Sequence, residues 1–161
     1  MAFIKIDNWW MAKEIPLIEA DWRNIRIYCE QSVNPFDWER CLYIVRLSPP
    51  YAIIYGDDGN VVSPLIYVGS GSIKSRWSTH REWLFELGRV IPGGRYEVWV
   101  CRPRCQNNDA LYEDIEADIL VRFKERTKGV LPLRNKRVEG TPRRHEYGQG
   151  FIETLIQDDR R

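Results

Sequence analysis

Three short stretches of the chain carry the hydrophobic pattern of β-strands. Residues 41–47, "CLYIVRL", and residues 65–69, "LIYVG", are almost continuously apolar, whereas residues 95–102, "RYEVWVCR", alternate between two faces. The intervening stretch, "SPPYAIIYGDDGNVVSP", has prolines at both ends and the pair Asp58-Gly59 inside, which predicts a reversal between two extended runs. We therefore predict three strands, the first two joined by an elaborated hairpin over residues 48–64.

Two helices are predicted between and after these strands. Beyond Gly71, apolar residues recur at helical spacing, and Gly88 is expected to end the helix. A second helix is predicted from about Asp109, as its cap, to Lys128, with Gly129 as its stop. This order of elements predicts a mixed α+β (α/β) fold in which helices flank a small three-stranded antiparallel sheet.

The two ends of the chain are predicted to be accessory to this core. Residues 9–31 mix aromatic and aliphatic residues with charges at spacings that suit one or two helices broken near Pro16. We expect one compact domain, because 161 residues with 43% hydrophobic content can bury a single core. It divides into an N-terminal helical accessory segment (1–40), a core (41–136) and a C-terminal accessory segment (137–161) that is basic at its start.

Composition points to a protein inside the cell. No apolar run approaches the roughly 20 residues that span a bilayer, and the first residues lack the basic and then apolar pattern of a secretion signal. We therefore expect an intracellular, cytoplasmic protein without a membrane partner, and four reduced cysteines. The motif "CRPRC" at 101–105 has no second ligand pair of matching spacing, and only His80 and His145 are available, which disfavours a zinc site.

Positive charge is concentrated in one segment. Residues 122–144 hold nine Lys or Arg and two Asp or Glu, although the net charge of the whole chain is +1. Lys and Arg gathered on one face attract a polyanion regardless of its sequence. The segment is a candidate surface for nucleic-acid phosphates, and a solvated tail is the alternative.

Five reactive side chains are expected to converge on this scaffold. Adjacent antiparallel strands can bring Tyr43 and Tyr67 side by side, and Arg76 and His80 lie four positions apart on one helical face. Glu116 lies on the second predicted helix. Two phenols, a guanidinium, an imidazole and a carboxylate suit phosphodiester cleavage, because they offer a base for water, a cation for the developing charge and a ligand for a divalent metal.

These residues lie within four of five short motifs that follow one another along the chain. The motifs are "CLY" at 41–43, "YVG" at 67–69, "SGSIKSRWSTH" at 70–80, "EADIL" at 116–120 and "PLRN" at 132–135. In this order they resemble the GIY-YIG nucleases over residues 41–136. Each motif is weak by itself, but five in order on the expected elements are specific. Two departures are Cys41, in place of the first glycine, and a linker over 48–64 that is longer than in the smallest family members.

The resemblance implies a single-metal mechanism. Glu116 would hold one Mg²⁺ or Mn²⁺ ion, with Glu113 as the competing ligand. Tyr43 would act as the general base or orient the attacking water, and Tyr67 would hydrogen-bond the nucleophile or the scissile phosphate. Arg76 would stabilise the transition state through its planar donors.

Two further residues have supporting roles in this scheme. His80 would assist a proton relay or contact phosphate, and a purely structural histidine is the alternative. Asn135 would brace the site by hydrogen bonds. The basic residues expected to bind DNA are Lys74, Arg134, Lys136, Arg137, Arg143 and Arg144.

The sequence therefore predicts a metal-dependent DNA endonuclease of GIY-YIG type, in a restriction-type or phage-associated setting. A repair or homing nuclease is an alternative within the same family. The alternatives from other classes are a catalytically silent DNA-binding module with the same fold and a structural protein whose Trp-rich N-terminus binds a partner. A homodimer is expected if both strands of a symmetric DNA site are cut.

Overall fold

The computed structural model describes residues 5–6, 9–11, 15–32, 40–56, 61–101, 111–138, 146–147 and 150–156. Besides one 3₁₀ turn, Leu17–Glu19, thirteen α-helices and β-strands lie in this part of the chain. They are β1 (Lys5–Ile6), β2 (Trp9–Met11), β3 (Ile15–Pro16), α1 (Trp22–Ser32), β4 (Cys41–Leu47), β5 (Ile53–Tyr55), β6 (Val61–Ser63), β7 (Leu65–Gly71), α2 (Ile73–Val90), β8 (Arg95–Cys101), α3 (Leu111–Thr127), β9 (Glu146–Tyr147) and α4 (Phe151–Ile156). The fold is mixed α+β, as predicted.

The main sheet is antiparallel and has the strand order β2-β8-β4-β7. Strands β8, β4 and β7 are the three that the sequence predicted, but the sheet is four strands wide. The fourth position is filled by β2, and the two-residue strand β3 pairs further along the same edge of β8. The prediction of helix is therefore wrong for residues 9–11 and 15–16. Pairing with β8 satisfies backbone groups that an open edge would leave exposed, and Pro16 is tolerated because it lies on an edge strand.

Strand β4 is the centre of the molecule, and all seven of its residues are buried. Its side chains alternate between two hydrophobic clusters on opposite faces of the sheet. Tyr43, Val45 and Leu47 belong to the cluster that α2 and the turn at residues 17–19 cover. Leu42 and Ile44 belong to the cluster that α3 and α4 cover. Each face of β4 therefore contacts a different helical layer.

Helix α2 begins at a serine cap, where the Ser72 hydroxyl accepts a hydrogen bond from the Ser75 N–H at 3.2 Å. The helix does not end at Gly88, as predicted, but continues to Val90. A Cβ at Gly88 would lie 3.2 Å from Leu17 Cβ and 3.3 Å from Ile18 Cγ2. Gly88 therefore allows close contact between α2 and the 3₁₀ turn at Leu17–Glu19, and it does not end the helix.

The N-terminal residues 15–25 pack on the same side of the sheet as α2. The Trp77 indole N–H donates to the Ala20 carbonyl at 2.6 Å, and the Leu17 N–H donates to the Gly94 carbonyl at 2.9 Å. Ile15, Leu17 and Ile25 are buried in the same cluster as Tyr43. The division of the chain at residues 40 and 136 stays a prediction.

Helix α3 ends close to the predicted stop at Gly129. That glycine has φ +106°, and its N–H donates to the Lys124 carbonyl at 2.8 Å, which closes the last turn. The predicted cap at Asp109 and the turn at Asp58-Gly59 lie outside the described residues. Strands β5 and β6 form the antiparallel hairpin expected within the 48–64 linker.

The outer edge of β7 is covered by the segment that follows α3. The Asn135 side-chain oxygen accepts from the Val68 N–H, and its amide nitrogen donates to the Val68 carbonyl, each at 2.9 Å. The Arg134 N–H also donates to the Ile66 carbonyl at 3.0 Å. One side chain therefore satisfies both peptide groups of an edge residue, as a neighbouring strand would.

None of the helices that the structure describes is long and apolar enough to cross a bilayer.

Replacing Asn135 with Ala should reduce the free energy of unfolding by about 1–3 kcal/mol, because both peptide groups of Val68 lose their partner. Urea denaturation would measure the loss. Its neighbour Lys136 is exposed and provides the control: Lys136→Ala should stay within about 0.5 kcal/mol of the unaltered protein. Equal stability of the two variants would contradict the assigned role of Asn135.

Candidate active site

The two tyrosines of the candidate site stand together because of the register between β4 and β7. Tyr43 pairs directly with Gly69, and Val45 pairs with Tyr67, so both phenols lie on the α2 side of the sheet. Their ring centres are 5.8 Å apart. A Cβ at Gly69 would lie 2.5 Å from Tyr67 Cε1 and 2.7 Å from Tyr43 Cζ. The glycine therefore provides the space that the two rings occupy.

His80 joins the two phenols from helix α2. It is buried, and its Nε2 lies 2.7 Å from the Tyr43 hydroxyl oxygen. The imidazole centre is 4.5 Å from the centre of the Tyr67 ring. On the other side of the imidazole, the Trp83 indole N–H donates to Nδ1 at 3.2 Å. Both nitrogens of His80 thus have a partner inside the protein.

The environment keeps Tyr43 and His80 uncharged at neutral pH. Burial, together with the neighbouring Tyr67, raises the pKa of Tyr43 far above that of a free phenol, and Arg76 opposes the rise. Burial, followed by the charges of Arg76 and Arg134, lowers the pKa of His80 to about 4. Tyr43 is therefore a neutral phenol and His80 a neutral imidazole in this site.

Arg76 supplies the positive charge of the site from the first turns of α2. Its side chain is exposed. Burial of part of the guanidinium disfavours its charged form, but Tyr43, Tyr67 and Glu116 together raise the pKa of Arg76. Arg76 is therefore a permanent cation next to both phenols and within the field of the carboxylate.

Glu116 lies on the opposite side of the sheet from the tyrosines. It projects from α3, is 8% exposed, and accepts a hydrogen bond from the Ser70 hydroxyl at 2.5 Å. Ser70 pairs with Leu42, whose side chain faces α3, whereas Gly69 faces α2. The candidate ligand Glu113, one turn earlier, is exposed. Of the two glutamates, Glu116 is the one that contacts β7.

The candidate site therefore extends across β7, the edge strand of the sheet. The phenols and His80 lie on one side, Glu116 and Ser70 lie on the other, and Arg76 interacts electrostatically with both groups. Asn135 holds the edge of β7 between them through Val68. A phosphate beside Arg76 would meet hydroxyl donors on one side and a carboxylate on the other.

The chemistry of the donors near Glu116 fits a hard divalent cation. Glu116 and Ser70 offer oxygen atoms, which Mg²⁺ and Mn²⁺ prefer, and such ions take their remaining ligands from water and phosphate. In the part of the chain that the structure describes, no group of three or more His, Cys, Asp or Glu side chains is placed to hold a metal ion. A metal here would thus depend on one protein carboxylate.

The residues expected to bind DNA are distributed around this edge. Lys74, Lys136 and Arg137 are exposed, and the Arg134 guanidinium lies 5.6 Å from the centre of the Trp83 ring. Arg143 and Arg144 lie outside the described residues, as does most of the "CRPRC" motif.

Part of the basic segment is compensated within the fold. Arg122 pairs with Asp118 at 3.1 Å, and Arg126 pairs with Glu153 at 3.1 Å. The net positive charge that residues 122–144 present at the surface is therefore smaller than their count of Lys and Arg suggests. An open groove of about 630 Å³ lies beside Asn135, and Lys124 and Lys136 line it together with the β5 hairpin strand.

Sequence reasoning missed two members of this arrangement and the reason for a third. Ser70 and Trp83 contact Glu116 and His80 only in the folded chain, although Trp83 follows His80 by three positions on the same helix. That spacing was the one local signal. Gly69 is part of the motif "YVG", but only its pairing with Tyr43 shows why a residue without a side chain is required there.

Replacing Gly69 with Ala should displace the two phenols and lower the free energy of unfolding by about 1–3 kcal/mol, because the added methyl overlaps both rings. A double-mutant cycle with Tyr67→Leu, measured by urea denaturation, would test this cause. Since one overlapping ring is gone, Gly69→Ala should destabilise the Tyr67→Leu protein less. Additive losses would show that overlap with the Tyr67 ring is not the cause.

His80 should make the protein less stable in mild acid. Its pKa is about 4 in the folded protein and 6.5 for a free side chain. Between these two pH values His80 binds a proton in the unfolded chain but not in the native protein. The free energy of unfolding therefore decreases as the pH falls below about 6.5. From about pH 7 to about pH 5 this loss amounts to about 2 kcal/mol.

Chemical denaturation at the two pH values would measure the effect. His80→Gln removes the titrating group and should flatten the dependence, whereas His145→Gln serves as the control and should retain it. A slope that survives in His80→Gln would assign the acid sensitivity to other groups.

No protein-family model, curated protein or solved structure matches this chain, so the candidate site stands on the geometry of the chain's own residues.

Proposed function

We propose that this protein is a metal-dependent DNA endonuclease that hydrolyses phosphodiester bonds in the manner of the GIY-YIG nucleases. The observation that carries the proposal is the convergence of Tyr43, Tyr67 and His80 beside the Arg76 cation, with Glu116 in the field of the same cation. These five side chains are separated by as many as 73 positions in the sequence. The favoured setting is restriction-type or phage-associated cleavage.

Arg76 has the clearest role in this reaction. It is an exposed, permanent cation, and its planar donors suit the equatorial oxygens of a phosphate that gains negative charge in the transition state. Lysine would supply the charge without the paired geometry. Arg76 therefore binds and orients the scissile phosphate at the edge of β7.

The tyrosines position the attacking water. Tyr43 is fully buried and its pKa is raised, so the phenol is neutral until additional positive charge reaches the site. Tyr67 is only half-buried and interacts with both Tyr43 and solvent-exposed Arg76, so that it can contact the nucleophile or the phosphate. Both phenols thus act through hydrogen bonds in the ground state.

Glu116 would hold a divalent ion, with Ser70 orienting its carboxylate. Such an ion would supply positive charge at the phosphate and to the water. DNA would reach this edge along exposed Lys74, Lys136 and Arg137, whose attraction to phosphates does not depend on base sequence.

A catalytically silent DNA-binding module is the second candidate. The complete burial of Tyr43 and the raised pKa of its phenol favour it, because a general base must reach a water molecule and lose its proton. Against it stands the buried Glu116, since a binding surface for phosphates gains nothing from an anion. Measurement of cleavage separates the two candidates.

Replacing Glu116 with Gln should reduce DNA cleavage at least about 100-fold, because the variant keeps the shape of the side chain and loses its charge. The assay compares supercoiled plasmid and labelled single-stranded DNA with Mg²⁺, with Mn²⁺ and with EDTA. Glu113→Gln is the matched control, since Glu113 is an exposed glutamate one turn earlier on α3. It should cut like the unaltered protein.

The outcomes are distinct. Cleavage that EDTA and Glu116→Gln both abolish would support the nuclease and its metal ligand. Salt-sensitive DNA binding by folded protein that cuts neither substrate would favour the silent module. Undiminished cleavage by Glu116→Gln would exclude Glu116 as the metal ligand.

A further inference from the structure

His80 is held by hydrogen bonds at both ring nitrogens. Nε2 lies 2.7 Å from the Tyr43 oxygen, and Nδ1 lies 3.2 Å from the indole nitrogen of Trp83. His80 and Trp83 are 4% and 5% exposed, so water has little access to compete for either bond. The spacing of three residues along α2 places the indole beside the imidazole.

The two partners are chemically unequal. An indole N–H can only donate a hydrogen bond, so the nitrogen that faces it must present a lone pair. A neutral imidazole with a lone pair on Nδ1 carries its proton on Nε2. That proton points at Tyr43, whose oxygen then accepts the hydrogen bond.

We propose that Trp83 is a positioning residue that fixes His80 in the tautomer protonated on Nε2, so that His80 donates a hydrogen bond to the Tyr43 oxygen. This inference rests on the proposed function and deepens it. His80 cannot then take the phenol proton, because Nε2 has no lone pair to receive it. The imidazole instead stabilises negative charge on the Tyr43 oxygen, and the expectation of a proton relay through His80 is replaced.

The charges around the pair support a neutral imidazole. Arg76 and Arg134 both lower the pKa of His80, and Arg134 also lies over the Trp83 ring. Tyr43 and Tyr67 are the titratable groups that face His80 from the sheet. A second proton on Nδ1 would have to displace the Trp83 donor and lie near two cations, so the neutral tautomer is the stable form.

The alternative is that Trp83 only fills space in the core. Trp83→Phe separates the two roles, since it keeps an aromatic ring and removes the donor. Trp77→Phe is the matched control: the Trp77 ring centre lies 5.7 Å from that of His80, close to the 5.6 Å of Trp83, but its indole N–H donates to the Ala20 carbonyl. Both variants lose one buried indole donor, and only one of these donors contacts His80.

The tautomer is read directly from long-range ¹H–¹⁵N correlation spectra of the imidazole rings. The chain has two histidines, and His145→Gln assigns the His80 signals. The unaltered protein and Trp77→Phe should show an unprotonated Nδ1 and a protonated Nε2 near neutral pH. Trp83→Phe should populate both tautomers. A proton on Nδ1 in the unaltered protein, or an unchanged tautomer in Trp83→Phe, would overturn the inference.

Kinetics test whether the tautomer matters for cleavage. Trp83→Phe should lower kcat by about tenfold to a hundredfold with little change in KM for DNA, because a hydrogen bond to a developing charge is weakened. Trp77→Phe should keep its kcat within about twofold. Equal kcat values for the two variants would overturn the positioning role.

Failure of the inference and failure of the proposed function are distinguishable. Absence of cleavage in the unaltered protein would reject the proposed nuclease function. It would also reject a catalytic role for the hydrogen bond between His80 and Tyr43. An unaffected tautomer in Trp83→Phe would reject the inference whether or not DNA is cut.

Discussion

The antiparallel register between β4 and β7 determines the rest of the candidate site. It sets Gly69 opposite Tyr43 and leaves room for two phenol rings that any other residue at this position would displace. The same register sends Ser70 to the opposite face, where its hydroxyl meets Glu116. A shift of the register by one residue would move each β7 side chain to the opposite face of the sheet, because side chains along a strand alternate. Tyr67 would then lose its contact with Tyr43, and Ser70 would lose its contact with Glu116. The two helices then add His80 and Glu116 to positions that the sheet has already defined.

This register has to be maintained at a sheet edge, where strands are least constrained. Asn135 meets that need by bonding both peptide groups of Val68, and the neighbouring Arg134 N–H bonds the Ile66 carbonyl. The pairing of β4 with β7 also has a bulge between Val45 and Arg46, next to the pair of Val45 with Tyr67. The "PLRN" motif is thus a structural brace for β7. For the proposed nuclease, an edge position would also let phosphate approach Arg76 without crossing the sheet.

How well the sequence predicts each feature depends on how far apart in the chain the interacting residues lie. Strands β4, β7 and β8 and the helices α2 and α3 are encoded locally, by apolar runs and helical spacing, and were predicted closely. Strands β2 and β3 have three and two residues, too few for a period, and they form because β8 offers a free edge. Gly88 has the local appearance of a helix stop but meets Leu17, which lies 71 positions away. The convergence of Tyr43, Tyr67 and His80 was predictable from register and helical spacing, whereas the contact of Ser70 with Glu116 depends on how α3 crosses β7.

The balance of charge in the site supports the proposed role of His80 as a hydrogen-bond donor in place of a base. Burial and two neighbouring arginines keep the imidazole neutral, and Trp83 occupies the nitrogen that would otherwise accept a second proton. A charged imidazole beside Arg76 would add repulsion in a region of low dielectric, where such interactions are strong. A neutral donor avoids that repulsion, and its hydrogen bond would stabilise a Tyr43 phenolate if one formed. In the proposed reaction, Arg76 then remains the fixed positive charge for the phosphate, and Glu116, across β7, would be the anion that holds a metal cation.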